Sequence, residues 1–93
     1  MAPRFSWDAR KASGNERKHG VTFEEAGTAF SDPLSITIPD PDHSTHENRS
    51  LLIGMSRQRR FLVVAHAEPG YDIRIINARL ATRRERGTYE EEL

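Results

Sequence analysis

Two apolar segments joined by a short polar turn constrain this chain more than any other feature. Residues Phe61–Ala67 are almost continuously apolar, Glu68-Pro69-Gly70 follows, and a second apolar segment occupies residues 71–78. Short apolar runs separated by Pro and Gly are typical of paired strands, because those two residues favour a reversal of the chain. We therefore predict a β-hairpin in the second half of the sequence.

Two further strands are expected before this hairpin. Residues 34–38 alternate apolar and polar side chains up to Pro39, which is the period of a strand with one buried face. Residues 49–56 contain three consecutive apolar residues before Gly54. Successive hairpins would join the four strands into one antiparallel meander.

Capping residues predict two helices ahead of the sheet. Asp8 is suited to the N-cap of a helix that ends at His19-Gly20, because glycine accepts the left-handed conformation there. Thr22 followed by Glu25 is a capping box for a second helix, which Asp32-Pro33 terminates.

A third helix is expected after the sheet, since Thr82 and Glu85 form another capping box and the helix would run to about residue 92. The predicted fold class is therefore α+β, with two N-terminal helices, a four-stranded antiparallel meander sheet and a C-terminal helix. We expect the helices to pack on one face of the sheet and to leave the other open. Arg74, between two isoleucines that point to the core, would project from the open face.

Length and composition limit the class of protein. The chain has 93 residues, the size of one domain, and we predict a single domain over residues 1–93. It contains no cysteine, which excludes a disulfide scaffold and a thiolate nucleophile. It also lacks an apolar stretch of the roughly 20 residues that cross a bilayer, and its first residues do not resemble a signal peptide. We therefore expect a cytoplasmic protein without membrane contact.

The charges balance in number but not in position. There are 14 Lys and Arg against 14 Asp and Glu, so net charge gives no argument for nucleic acid binding. Acidic residues concentrate at 24–47 and 89–93, whereas arginines concentrate at 57–60 and 74–86. This distribution is compatible with one basic face, although a solvated exterior is the ordinary interpretation of any charge run.

A series of short motifs runs in order along the chain. They are Trp7-Asp8, Lys11, Asn15, Lys18-His19-Gly20-Val21, Phe23, Glu25-Ala26, Asp32-Pro33, Glu47-Asn48-Arg49, Gly54, Arg74-Ile75-Ile76-Asn77-Ala78-Arg79, Ala81, Thr82, Glu85 and Tyr89. Each motif is weak alone, but their order and spacing from Phe5 to Tyr89 are specific. Together they resemble the signature of the BrnT toxin family, the RelE-like ribonucleases of bacterial toxin–antitoxin pairs.

The resemblance carries its own expectations. It implies a RelE-like fold, RNA cleavage without a metal or other cofactor, and inhibition by a BrnA-like antitoxin. The antitoxin would bind operator DNA, so that this chain would meet DNA only indirectly, in a hetero-oligomer of two toxins and two antitoxins. Asn77 departs from the family pattern, which more often has serine there, and Gly14 and Gly87 stand where the family usually has better helix formers.

Arginines are the first candidates for the chemistry. RNA can be cleaved through its own 2′-hydroxyl, which attacks the adjacent phosphorus and requires a base, an acid for the leaving group and cations for the developing charge. Arginine suits the last role, because its planar fork pairs with phosphate oxygens and stays protonated. Arg49, Arg74 and Arg79 are our candidates, each with a structural alternative as a salt-bridged surface residue. They must converge on one phosphate, near Lys18 and His19.

The remaining catalytic candidates come from other parts of the chain. Lys18 is a candidate phosphate ligand and His19 a titrating group, although the helix dipole alone also favours cations at a helix C-terminus. Glu47 is a candidate base or else a solvated loop carboxylate. Tyr89 is a candidate to stack on a base or donate a proton, or else belongs to the core face of the last helix.

Four residues are candidates for substrate binding, namely Lys11, Asn15, His66 and Arg83. Lys11 and Asn15 share a helical face with Trp7 and Lys18, and this stripe either meets RNA or is solvated beside a packed tryptophan. His66 is either a titrating group or a satisfied residue of the sheet. Arg83 belongs to the arginine-rich segment 74–86.

Two alternatives stay open. A loop cluster of Asp40, Asp42, His43, His46 and Glu47 has ligands for a divalent ion, but its spacing matches no ligand motif, so we expect no metal. The alternative function is a non-catalytic module that binds a partner protein and acts in a transcriptional repressor complex.

Overall fold

The computed structural model describes residues 4–40, 48–68 and 71–91. In chain order its elements are β1 (Arg4–Ser6), α1 (Ala9–His19), α2 (Phe23–Thr28), a 3₁₀ turn (Ala29–Ser31), β2 (Ile36–Pro39), β3 (Arg49–Met55), β4 (Phe61–Ala67), β5 (Asp72–Leu80) and α3 (Arg83–Glu91). The five strands form one mixed sheet in the order β1-β5-β4-β3-β2. None of the helices in these ranges is long and apolar enough to cross a membrane.

The helices begin at the predicted caps. The Asp8 carboxylate accepts hydrogen bonds from the Arg10 and Lys11 N–H groups, at 2.8 and 3.1 Å. Gly20 ends α1 with φ of 69°, a conformation in which glycine has no Cβ to clash. At α3 the capping box is reciprocal, since the Glu85 carboxylate accepts from the Thr82 N–H at 2.8 Å and the Thr82 hydroxyl accepts from the Glu85 N–H at 3.2 Å.

The prediction of four antiparallel strands is wrong in one respect. The meander β2-β3-β4-β5 is antiparallel, as predicted, but β1 adds a fifth strand that is parallel to β5, with Phe5 beside Ile73. With only three residues, β1 is too short to show an alternating pattern. Its partner also lies near the opposite end of the chain, so local sequence carries no sign of the pairing.

The expectation that all helices share one face is also wrong. Successive strand residues point to opposite faces. Leu52 packs in a core cluster with Val21 and Phe23, whereas its neighbour Ile53 packs in a second cluster with Tyr89. Helices α1 and α2 therefore cover one face, which we call the helix face, and α3 covers one end of the other. The part of this second face beyond α3 carries the polar residues described next.

Candidate functional site

Three arginines lie on the face opposite α1 and α2. Arg49 of β3 pairs with Ala67 of β4, and Ala67 pairs in turn with Arg74 of β5. Arg79 lies further along β5, opposite Val63. Directly paired residues project on the same side of a sheet, so the three arginines share one surface, which we call the arginine face. With strands about 4.8 Å apart, the backbones of Arg49 and Arg74 are roughly 10 Å apart.

A β-bulge sets which residues of β5 reach this face. The pairing of β4 with β5 shifts between Ala65 and His66. Ile75 packs in the helix-face cluster, but Ile76 packs with Ala65 and Ala67 on the other side. The extra residue therefore changes the phase of the strand, and Asn77, paired with Ala65, also projects on the arginine face.

A pocket of about 220 Å³ opens on the arginine face. It is lined by Asp40, Arg49, Leu51, Val63, Ala65, Asn77 and Arg79. Leu51, Val63 and Ala65 give it an apolar floor, and the two arginines come from strands that have β4 between them. The Asp40 N–H donates to the Arg49 carbonyl at 2.9 Å, which places Asp40 beside Arg49 where β2 ends. Two of the three predicted phosphate-binding arginines therefore line one cavity.

Arg79 is held in place by the first turn of α3. Its Nη1 and Nη2 donate to the two carboxylate oxygens of Glu85, at 2.7 and 2.8 Å. Hydrogen bonds from Arg79 lower the pKa of Glu85 to about 2, and the same pair raises the pKa of Arg79. Across the described parts of the chain, the Nε–H of Arg79 has no acceptor, so this edge of the guanidinium is available to a phosphate. The pair orients Arg79 while offsetting part of its charge.

Lys18 and His19 belong to a different part of the molecule. They end α1, the helix that packs on the helix face, and Lys18 is exposed while His19 is half-buried. Lys11 is also exposed on α1. The structure thus separates the predicted set into the arginines on one face and the α1 cations on the helix that covers the other.

A family model described as the ribonuclease toxin BrnT of type II toxin–antitoxin systems matches residues 7–85. The chain belongs to the BrnT family. Membership confirms the resemblance found in the sequence, and a toxin of a type II system implies an antitoxin partner. No curated protein matches the chain.

Among solved structures, the crystal structure of the ribonuclease toxin BrnT from Brucella abortus resembles this model. The TM-score is 0.67 at 21% sequence identity, over 87% of this chain and 99% of the Brucella chain. At this identity the likeness shows the fold, which is therefore the α+β fold of a BrnT toxin.

Asn15 has a structural role in this BrnT fold. Only 7% of its surface is exposed. Its Nδ2 donates to the carbonyls of Val21 and Ala78, at 2.9 and 2.7 Å, and its Oδ1 accepts from the Ala78 N–H at 3.0 Å. The carboxamide thus satisfies both backbone groups of Ala78, as a neighbouring strand would. The geometry leaves Asn15 no atom for RNA, which corrects its assignment to the substrate-binding stripe.

His66 and Tyr89 are also enclosed. His66 is 1% exposed, pairs with Ile75 of the helix face and lies edge-on to the Phe30 ring at 4.8 Å. Tyr89 is 4% exposed, and its hydroxyl donates to Asp32 at 2.8 Å. Burial, followed by this carboxylate, raises the pKa of Tyr89 to about 12. Neither side chain reaches the pocket, because each fills the core on its own side of the sheet.

Of the remaining predicted residues, one lies in the described structure and the others lie outside it. Arg83 is exposed at the start of α3. Glu47 lies outside the described residues, as do Asp42, His43 and His46 of the loop cluster. Within residues 4–40, 48–68 and 71–91, no group of three or more His, Asp or Glu side chains is arranged to hold a metal ion.

Sequence reasoning did not assign two polar residues of the pocket, Asp40 and Asn77, to a phosphate site, and considered Asp40 only as a metal ligand. Asn77 had a usable signal, because it precedes Arg79 by two residues and so shares its side of a strand. It also missed a cluster of the buried Glu25 and Ser56 with the half-buried Arg60, which we call the clamp. Arg60 donates through Nε to Glu25 at 2.9 Å and through Nη2 to the other carboxylate oxygen, while the Ser56 hydroxyl donates to Glu25 at 2.8 Å.

Proposed function

We propose that this chain is a metal-independent endoribonuclease toxin that cleaves RNA through the adjacent 2′-hydroxyl, inhibits translation and is neutralised by a BrnA-like antitoxin. The observation that carries the proposal is the pocket on the arginine face that both Arg49 and Arg79 line. Two guanidinium groups at one cavity are suited to a phosphodiester, whose charge increases as the phosphorane forms. Membership in a family of ribonuclease toxins supports the same chemistry.

The pocket suits one phosphate with its adjoining sugar. Its volume of about 220 Å³ equals that of about seven water molecules at roughly 30 Å³ each. In the proposed reaction the 2′-oxygen bonds to phosphorus and the bond to the 5′-oxygen breaks. Arg49 and Arg79 bind the non-bridging oxygens, and Asn77 donates to or accepts from the nucleotide. The products are a 2′,3′-cyclic phosphate and a 5′-hydroxyl.

The proton transfers need further groups. We propose Glu47 as the base, since it precedes pocket-lining Arg49 by two residues in the chain. Lys18 and His19 lie on the helix that covers the other face, so we keep them only as candidates to contact the RNA away from the scissile bond. The leaving 5′-oxygen takes its proton from solvent, and Arg74, Lys11 and Arg83 are kept as contacts to flanking phosphates. Asn15, His66 and Tyr89 are left out of the proposed site because their polar atoms are buried and bonded within the fold.

The decisive experiment measures RNA cleavage by the purified chain in EDTA. We expect cleavage to continue and to leave cyclic phosphate ends, because no step of the proposed reaction requires a metal. Arg49→Ala and Arg79→Ala should each reduce the cleavage rate at least 100-fold, the order of magnitude for one lost charge-stabilising group.

Arg10→Ala is the matched control, because Arg10 is exposed on α1 and lies outside the proposed site. It should cleave at the wild-type rate. Cleavage that requires added metal, or that survives both pocket substitutions, would show the proposed mechanism to be wrong.

One observation favours the alternative of a non-catalytic partner-binding module in a repressor complex. The double hydrogen bond of Arg79 to Glu85 gives this arginine a structural role. Expression in a bacterium separates the two functions. Growth arrest with fragmented RNA is expected of the nuclease, whereas a binding module leaves both growth and RNA intact.

A further inference from the structure

A second cavity of the described structure lies on the helix side, away from the arginine face. It is an open groove of about 880 Å³ between the N-terminal segment, α2 and the turn that joins β3 to β4. We call it the helix-side groove, and its base is formed by Phe5, Trp7, Phe23 and Met55. The volume is in the range of sites that enclose a ligand or a bulky side chain. None of these residues has a part in the proposed cleavage of RNA.

The base of the groove is rigid. The Trp7 and Phe23 rings pack edge to face with centroids 5.9 Å apart, and Phe5 packs in the same way on Phe30 at 5.2 Å. Phe23 is fully buried, so the core behind it fixes its position. Binding to a surface that is already ordered costs little conformational entropy.

The two walls of the groove are tied together. The Thr28 hydroxyl of α2 accepts from the Arg57 N–H at 2.8 Å, which joins α2 to the β3–β4 turn. The clamp makes a second connection between them, through Glu25 of α2 and Ser56 with Arg60 of the turn. These hydrogen bonds hold the β3–β4 turn against α2.

The rim carries a positive excess. Arg57 and Arg59 are exposed on the turn, and Glu24 is exposed on the α2 side. Asp32 also lines the groove, but its carboxylate accepts hydrogen bonds from the Leu34 N–H, the Met55 N–H and the Tyr89 hydroxyl, at 3.0, 2.8 and 2.8 Å. Asp32 is therefore engaged within the fold, and the exposed charges of the rim are two guanidinium groups and one carboxylate.

Arg59 occupies a position that favours glycine. Its φ is 64°, and among the described residues no other non-glycine residue has a positive φ. The left-handed conformation costs an L-residue with a side chain about 1–2 kcal/mol. The chain thus has a guanidinium at the rim where glycine would be more stable, which indicates a use for the side chain.

From these features we propose that the helix-side groove docks a segment of the antitoxin that inserts bulky apolar side chains between flanking acidic residues. The apolar base fits the inserted side chains, and Arg57 with Arg59 fits the acidic flanks. A peptide is favoured over RNA, because the base of the groove is apolar and carries no cation for a phosphate. The inference rests on the proposed function only in taking the antitoxin as partner, and docking here leaves the arginine face accessible to other parts of the antitoxin.

The test measures the affinity of the full chain for the purified antitoxin encoded beside its gene, by calorimetric titration. Arg57→Glu with Arg59→Glu should weaken binding at least ten-fold, since both rim cations become anions. Arg10→Glu with Arg17→Glu changes the net charge equally on exposed positions of α1 and should bind like the wild type. Glu24→Lys should tighten binding about three-fold, a change in the opposite direction that a damaged fold cannot produce.

Unchanged affinity in the Arg57/Arg59 variant, or weaker binding by Glu24→Lys, would overturn the proposal. So would an Arg57/Arg59 variant that loses affinity for a 2′-O-methyl RNA while binding the antitoxin normally, because the groove would then be a nucleic acid surface. Cleavage of RNA is measured in parallel for each variant and should equal that of the wild type. An inactive wild type would contradict the proposed nuclease but not the docking surface.

Discussion

At the scale of single residues, the arginine face depends on how each guanidinium is held. Arg79 is oriented by two hydrogen bonds to Glu85, and Glu85 is itself fixed by the N–H of Thr82. An arginine placed in this way loses little side-chain entropy when a phosphate binds. The Glu85 carboxylate therefore has two roles: it closes the capping box of α3, and it orients an arginine that lines the pocket.

This shared carboxylate gives a pH dependence of stability. The pKa of Glu85 falls from 4.5 to about 2 on folding, so the pair stabilises the fold above pH 4.5 and its contribution is lost as the pH falls towards 2. Arg79 is 37% exposed, and solvent screening reduces the contribution to about 1–2 kcal/mol. Urea unfolding at pH 7 should show Glu85→Gln to be less stable than wild type by that amount, and the difference should shrink to less than half at pH 3. An equal difference at both pH values would contradict the assignment.

At the scale of elements, the 3₁₀ turn after α2 lies directly against β3. A Cβ at Gly54 would come within 3.0 Å of the Ala29 carbonyl oxygen, so only glycine allows this approach. The contact connects the helix layer to the sheet and helps to form one wall of the helix-side groove. Gly14, in the middle of α1, has no atom within 4 Å of the position of its Cβ among the described residues.

We therefore expect replacement by alanine to change the free energy of unfolding in opposite directions at the two glycines. Gly54→Ala should lower the free energy of unfolding by about 1–3 kcal/mol, because the backbone must move to relieve the overlap. Gly14→Ala should raise it by roughly 0.5–1 kcal/mol, because alanine loses less backbone entropy in a helix. Thermal and urea unfolding measure both. A Gly54→Ala variant as stable as the wild type would show that the close approach of the 3₁₀ turn to β3 does not constrain the fold.

At the scale of the whole molecule, positive and negative side chains are equal in number but are not evenly distributed over the surface. The net formal charge is zero, yet Arg49, Arg74 and Arg79 share one side of the sheet. If the chain acts on RNA as proposed, association depends on this local field and not on net charge. Each phosphate that an arginine neutralises releases a condensed counterion, which makes the affinity depend on salt.

We therefore expect the affinity for a 2′-O-methyl RNA, which lacks the attacking hydroxyl, to fall about ten-fold between 50 and 200 mM salt. This follows from roughly two to three phosphate contacts on a single strand. Fluorescence anisotropy measures the slope. Arg49→Ala with Arg74→Ala should flatten it, whereas Arg10→Ala with Arg17→Ala on α1 should leave it unchanged. A slope that is insensitive to the first pair would place RNA on another surface.

The sequence alone determined the features that local physics controls. Asp8, Thr22 and Thr82 cap helices because their side-chain oxygens reach N–H groups two or three residues away. The meander followed from apolar periodicity, and the family followed from motifs spread along the chain. Arg49 and Arg79 were selected because arginine suits a phosphate and both stand in the motifs of the family.

Tertiary structure alone decided which of these residues meet. The parallel pairing of β1, the position of α3 on the second face and the burial of Asn15 against Ala78 all join residues distant in sequence, so no local pattern encodes them. A single bulge beside Ala65 shifted the phase of β5 and brought Asn77 to the pocket. Local propensities act over a few residues, whereas a site is formed by contacts across the sheet, and those depend on how the whole chain packs.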